Sequence, residues 1–324
     1  MEFSNPAFHD VARSFISILL EGAPYILLGT LISGFIDAYL PKNVMDRLLP
    51  KNRVLAIFAS GLLGAIFPVC ECAIVPVIRR LVQKGLPVAC AVTYMLSAPI
   101  INPITVVSTY SAFKGVSLEM TLSRLIMAYM VTVFVGLLVH KIAPKKILAD
   151  HIAAELPDGG ANVEPEGDPS AVVAKDTDPQ PGGKLIHALR TAQSDFLETG
   201  MYFVIGVIIA ATFSTSPALQ DLVRSFASND MIAVPGMMVF AFILSLCSTT
   251  DAFIIAADAS LSLTSKLAFL VYGPMMDVKL LFLYSSVFKK KFVLFLVFGL
   301  FILIGLLCIP WSWYFSWVLS SVQR

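Results

Sequence analysis

Charged side chains are scarce in this sequence: Asp, Glu, Lys and Arg make up 14% of its 324 residues, against about a quarter in soluble domains. Apolar and aromatic residues reach 57% and the mean hydropathy is +0.81, so a water-soluble fold could not hide the apolar surface. A basic excess is missing as well. With a formal net charge of +1 the chain cannot neutralise a phosphate backbone, which excludes a nucleic-acid partner. No Walker A pattern occurs, so the chain does not use ATP by itself. The four histidines, His9, His140, His151 and His187, stand at the ends of apolar runs or in a polar linker, and no HExxH zinc motif is formed. Nothing calls for a cofactor or a catalytic residue, and the chain reads as no enzyme. The cysteines, Cys70, Cys72, Cys90, Cys247 and Cys308, are an odd set in apolar surroundings without a Cys-x-x-Cys pair, which excludes an extracellular disulfide framework. The N-terminus, MEFSNPAFHD, carries acids where a leader has a basic region. The first apolar run is therefore predicted to be a retained helix.

Long apolar runs are what the sequence does have. They fall near 13–38, 54–78, 86–113 and 120–140, then near 191–213, 231–257, 263–288 and 292–319, each about the length of 20 residues that crosses a hydrocarbon core. Between the two sets, residues 149–183 are acidic and rich in Pro and Gly, as in a disordered linker. Three regions follow: a first transmembrane repeat over 1–148, the linker, and a second repeat over 184–324. Glu21, Tyr25 and Gly29 recur as Glu198, Tyr202 and Gly206 at an offset of 177, and the four-residue spacing keeps each trio on one side of a helix. Cys72, Pro99 and Asn102 recur as Cys247, Pro274 and Asp277 at an offset of 175. Two near-equal offsets in the same order point to homologous halves.

Basic residues cluster at Lys42, Arg47, Lys51 and Arg53, at Arg79, Arg80 and Lys84, at Lys141, Lys145 and Lys146, and at Lys289, Lys290 and Lys291. The positive-inside rule wants all four clusters in the cytoplasm, with the linker. The first two flank the 54–78 run, so a full crossing there would put them on opposite sides. The conflict disappears if 54–78 is a re-entrant hairpin turning at Phe67–Cys72, each arm of about 14 residues reaching about 21 Å of a roughly 30 Å core. Three crossings plus one hairpin invert the second half, whose hairpin around Cys247–Asp251 then enters from outside. The expected fold is an all-α polytopic protein of the cytoplasmic membrane, with about eight hydrophobic segments in two inverted repeats of broken or re-entrant helices. Eight full spans is the simpler alternative.

The segment Pro68-Val69-Cys70-Glu71-Cys72-Ala73-Ile74-Val75-Pro76 brackets an acid and two thiols with prolines. Proline frees backbone carbonyls, and irregular backbone at membrane depth is tolerated only inside protein or beside a wet cavity. Cys70 and Cys72 would suit a soft ion, with Glu71 a proton acceptor or oxygen ligand; the plainer reading makes the cysteines small buried hydrophobes and Glu71 a helix cap. Asp251 lies deep in its run with no basic partner nearby in sequence, which marks it as functional, although Ser248, Thr249, Thr250 and Asp251 all suit a helix N-cap. Pro99 with Asn102, and Pro274 with Asp277, place a helix break and a polar group inside apolar spans, offering backbone groups to a substrate or simply kinking a helix. Glu21 and Glu198, early in the first helix of each half, are candidates for proton carriers or partners for arginine, or else interfacial acids. Trp311, Trp313, Tyr314 and Trp317 read as an interfacial aromatic belt.

At FPVCECAIVPVIRRLVQKGLPVACAVTYMLSAPIINP and LCSTTDAFIIAA the sequence resembles the ArsP/YraQ-type predicted permease family, and the similarity covers most of both hydrophobic halves. Members of that family export trivalent organoarsenicals, and others are linked to copper and zinc efflux, so the resemblance implies an exporter of soft, thiol-seeking species. The family's cysteine motif falls on Cys70 and Cys72, and its second-half polar motif on Cys247, Ser248, Thr249, Thr250 and Asp251. Glu71 stands where many relatives have a small residue, and Thr249 and Thr250 where some have an acid, which leaves the substrate open. The leading expectation is a secondary permease, seated in the lipid bilayer of the inner membrane, that exports a soft metal, metalloid or trivalent organoarsenical. The alternatives are a membrane thiol oxidoreductase, against which the two-residue cysteine spacing argues, and a scaffold or permease subunit that works with a second membrane subunit on an organic substrate.

Overall fold

The computed structural model describes residues 6–40, 50, 52–66, 69–153, 181–214, 230–258 and 261–322. Lys42, Arg47, Lys51, Phe67 and Pro68 of the expected hairpin turn, most of the expected linker and residues 215–229 lie outside the described residues. What is described is helical, with one isolated antiparallel bridge between Leu148 and Phe288. In chain order the helices are α1 (Pro6–Tyr39), α2 (Arg53–Ile66), α3 (Ile74–Gln83), α4 (Val88–Ser97), α5 (Pro103–Ala112), α6 (Ser117–His140), α7 (Pro144–Ile147), α8 (Asp150–Ala153), α9 (Pro181–Ser214), α10 (Asp230–Leu244), α11 (Thr250–Ala257), α12 (Leu263–Met275), α13 (Val278–Ser285) and α14 (Lys290–Val322).

Among the described residues, five stretches are long and apolar enough to cross a membrane: His9–Tyr39, Ser117–His140, Gly183–Phe213, Leu263–Ser285 and Lys290–Trp317. The other three apolar runs, 54–78, 86–113 and 231–257, are each split into shorter helices. The margins of the expected linker are ordered as well. Proline is at home in the first turn of a helix, and α9 accordingly starts at Pro181; Asp150 of α8 is held by Lys289 at 2.6 Å.

Local chemistry sets the breaks. At the end of α3, Leu86 N–H donates to Leu81 O and Gly85 N–H to Val82 O, with Gly85 at φ +102°; this Schellman arrangement needs a left-handed residue, for which glycine carries no Cβ penalty. Asn102 caps α5 by accepting from Ile104 N–H, with Pro103 in the first helical position, and Asp277 caps α13 by accepting from Leu280 N–H. Each cap satisfies an orphan donor that apolar surroundings could not.

Contacts fix how the pieces run. Helices α1 and α9 are antiparallel: Gly22 meets the Phe203 ring, Gly34 meets Ala188, and Ser33 donates to Asp195 at 2.7 Å. Helix α3 descends beside α1, with Ala73 against Gly29, Pro76 O accepting from Ser33 and Lys84 Nζ donating to Asp37 O at 2.7 Å. Helix α2 runs opposite to α6, Ile57 lying by Gly136 and Gly61 by Tyr129. Its far end brings Gly64 to Ala98, at the start of the α4–α5 break. Helix α10 runs with α12, through Phe240 on Phe269 and Ala241 on Gly273. The α12–α13 stretch is enclosed almost all round, as a helix apolar on every face requires. Outward faces such as Leu20, Leu27 and Leu28 on α1 and Phe298, Ile302 and Leu306 on α14 are exposed, which suits lipid and not water.

Candidate functional site

Four helix breaks converge: 69–73, Ala98–Asn102, Ser245–Thr249 and Met276–Asp277. The first and third are built alike. Ala73 and Ile74 N–H both donate to Cys70 O, and Thr250 and Asp251 N–H both donate to Cys247 O. The turn geometry thus aligns Cys70 with Cys247, at the offset of 177 that relates Glu21 to Glu198. The residue types had suggested Cys72 as the match for Cys247; counted from the two carbonyls, Thr249 takes the place of Cys72 and Ser248 that of Glu71. The offset of 175 holds only beyond it, where Asn102 and Asp277 occupy the same cap position.

A small cavity opens between these turns, lined by Ile18, Glu21, Gly22, Tyr25, Cys70, Glu71, Cys72, Phe203, Cys247 and Lys279. Three thiols from the first and third breaks therefore share one space with two carboxylates and an ammonium group. Among the described residues no three His, Cys, Asp or Glu side chains stand together as a closed metal cage.

Glu71 is 1% exposed. It accepts from Ser248 Oγ at 3.3 Å and lies 3.5 Å from Lys279 Nζ. Lys279, 3% exposed, also donates to Ser245 O at 2.9 Å and lies 3.4 Å from Asp277. Asp251 is paired with Arg124 at 2.9 Å. The same guanidinium donates to Ser248 O at 3.2 Å and to Thr109 Oγ1 at 2.7 Å. Ser248 therefore links the two charge clusters. An unpaired charge at membrane depth costs several kcal/mol, so these groups occur as partners, and in a low dielectric their attraction is strong.

The remaining expected residues separate into two groups. Glu21 lines the cavity and accepts from Thr250 Oγ1 at 3.0 Å. Glu198 does not line it; it pairs with Arg79, nearer the end of the molecule where Arg80 grips Asp195 with two hydrogen bonds. Pro76, Pro99, Asn102 and Pro274 are also absent from the lining: the Pro76 carbonyl accepts from Ser33, the Pro99 carbonyl from Thr105, Asn102 caps α5, and Pro274 lies in the last turn of α12. Thr249 reaches the Cys247 sulfur at 3.7 Å, and its carbonyl accepts from Ser108.

Two residues escaped the sequence reading, Arg124 and Lys279. The signal was present: Arg124 is the sole Asp, Glu, Lys or Arg between Met120 and His140, and an intramembrane cation marks a site as an acid does.

A helical bundle with lipid-compatible outer faces, five membrane-capable stretches among the described residues and a small cavity at the meeting of broken helices, lined in part by Glu21, Glu71 and Lys279, defines a multi-pass membrane protein of the transporter class. The chain belongs to the family described as "Predicted permease", which it matches over residues 7–309. It is 37% identical over 294 residues to UPF0718 protein YcgR of Bacillus subtilis, covering 90% of this chain and 93% of the relative. It is also 37% identical over 281 residues to a Streptococcus mutans protein named as a subunit of a two-component membrane permease complex, covering 86% of this chain and 87% of that one. A third relative, UPF0718 protein MJ0584 of Methanocaldococcus jannaschii, is 25% identical over 127 residues, 39% of this chain and 34% of its own. No solved structure matches the chain.

Proposed function

We propose that this permease exports a soft metal, metalloid or trivalent organoarsenical, passing the cargo between Cys70, Cys72 and Cys247. The observation that carries the proposal is that these three thiols, from two separate breaks, line one cavity. Thiolates are soft ligands and prefer such species to hard ions. Exchange among three ligands of an open set allows a cargo to be released as well as held. Glu71, Asp251 and Asp277 are the protonatable groups that couple release to a proton gradient, with Glu21 at the cavity wall.

The pathway lies between two inverted repeats, residues 1–148 and 184–324, joined by the linker 149–183. Four features support inversion. The equivalent helices α1 and α9 pack antiparallel, as an axis in the membrane plane demands. Helix α2 rises from the end where α1 finishes and α3 returns to it, while α10 and α11 enter and leave at the opposite end. The arms are short: 14 and 10 residues in α2 and α3, 15 and 8 in α10 and α11. At about 1.5 Å per residue none spans a core of about 30 Å. The pairings α2 on α4, α4 on α6 and α5 on α6 recur as α10 on α12, α12 on α14 and α13 on α14.

The test is accumulation in everted membrane vesicles of trivalent methylarsenite, arsenite, Zn²⁺, Cu⁺ and Cd²⁺ by the wild type and by Cys70→Ser/Cys72→Ser. Uptake of one soft species, lost in a double variant that still inserts, supports the thiol pathway. Equal uptake by both makes the cysteines packing residues. The Streptococcus relative's name favours a second arrangement, in which this chain acts with another membrane subunit; transport that needs a co-purifying partner distinguishes it from a chain that works alone.

A further inference from the structure

The Lys279 ammonium sits among four oxygens. Ser245 O lies at 2.9 Å, Leu246 O at 3.3 Å, Asp277 Oδ2 at 3.4 Å and Glu71 Oε1 at 3.5 Å. The two carbonyls are freed where α10 ends, and Ser245 holds a φ of +49°, a left-handed conformation that a residue with a Cβ adopts only under constraint. Asp277 spends Oδ1 on capping α13. Its other oxygen, Oδ2, is buried, makes no hydrogen bond and faces the ammonium. Two carboxyl groups thus face one ammonium.

This donor set is hard: carbonyl and carboxylate oxygens only, of the kind that hold alkali and alkaline-earth cations in unwound transporter helices. The lysine fills it loosely. Three of its four contacts are 3.3 Å or longer, whereas a charge-assisted N–H···O bond closes to about 2.7–2.9 Å. A lysine stem is flexible and its head is a compact point charge, so the head can leave along the cavity that Lys279 and Glu71 also line.

We infer that these oxygens form a monovalent-cation site, occupied in this conformation by the tethered Lys279 ammonium and in another by a free hard cation such as Na⁺. Entry of the free ion expels the lysine and uncouples the Ser245–Leu246 break from α13, beside the thiols. The part this exchange plays in transport rests on the permease reading above; cation binding itself does not.

The experiment follows the thermal unfolding midpoint of the purified, detergent-solubilised full chain as NaCl replaces choline chloride at constant ionic strength. In Lys279→Met the resident competitor is gone. Its midpoint should rise saturably with Na⁺, with half-saturation at least tenfold below that of the wild type, and addition of Asp277→Asn should abolish the response. Lys279→Met/Glu71→Gln keeps the wild-type net charge among the oxygens and gives the same reading if the single variant fails to fold. Insensitivity of the folded variants to Na⁺, a response to divalent ions alone, or a Na⁺ response that survives Asp277→Asn overturns the site. No thiol or cargo takes part, so failure here leaves the exporter reading standing, and failure of the cysteine test leaves this one standing.

Discussion

Arg124 Nη2 lies 2.9 Å from Asp251 Oδ2, a buried ion pair between α6 and α11 that joins residues 127 apart in sequence. The same guanidinium holds the carbonyl of Ser248, whose hydroxyl reaches Glu71. The pair therefore positions one side of the cavity as well as neutralising two charges.

Removing one member leaves the other buried and alone. Arg124→Gln should lower stability by about 3–5 kcal/mol, while Arg124→Gln/Asp251→Asn recovers much of the loss. Thermal unfolding in detergent measures both, and a double variant weaker than the single one would show that the charges do not act as a pair.

Asp251 also bears on coupling. A proton requirement for vesicle uptake should vanish in Asp251→Asn and survive in Asp251→Glu, read as dependence on an imposed pH gradient. Unaltered coupling in the Asn variant removes Asp251 from the proton path.

Gly29 lets α1 lie on the turn that follows Cys72: a Cβ there would stand 2.7 Å from the Cβ of Ala73. Gly29→Ala should destabilise by roughly 1–3 kcal/mol, the range of overpacking, and reduce transport. Gly200→Ala on α9, where a Cβ meets nothing within 4 Å, should be neutral or stabilising by up to about 1 kcal/mol. Equal effects at the two positions would refute the close approach.

Asp195 accepts two hydrogen bonds from Arg80 and one from Ser33, tying α9 to α3 and α1. Asp195→Ala should cost roughly 1.5–3 kcal/mol, as for hydrogen bonds to a charged group. The exchange Arg80→Asp/Asp195→Arg should restore part of that stability, whereas an exchange no better than either single change would make the pair incidental.

The proposed inverted arrangement predicts sidedness. Cysteines introduced at Lys145 and Lys290 should react with an impermeant thiol reagent from the cytoplasmic side, and one at Lys114 from the outside. Labelling of all three from one side contradicts three crossings in the first half.

The membrane class, the helical content and the places where helices break were legible in the residues. Composition fixes the solvent, and Pro103, Gly85, Asn102 and Asp277 act on their own neighbours through missing donors, left-handed turns and side-chain caps. Asp251 and the Cys70–Glu71–Cys72 turn stood out because polar groups inside apolar runs require a reason. The register of the two turns did not follow from residue types, since Cys72 and Cys70 are equally good matches for Cys247 until the carbonyl hydrogen bonds choose between them.

Glu21 and Glu198 make the division sharpest. They are equivalent by spacing, yet one lines the cavity and the other pairs with Arg79, because α1 and α9 lie against different neighbours. By itself the sequence determined what each segment must bury and where its backbone must turn, for those demands are local. Only the tertiary structure decided that Arg124 answers Asp251, that Lys279 answers Glu71 and Asp277, and that three thiols face one cavity. Electrostatic and packing partners are chosen by distance in space, and in a bundle of crossing helices that distance bears no relation to separation along the chain.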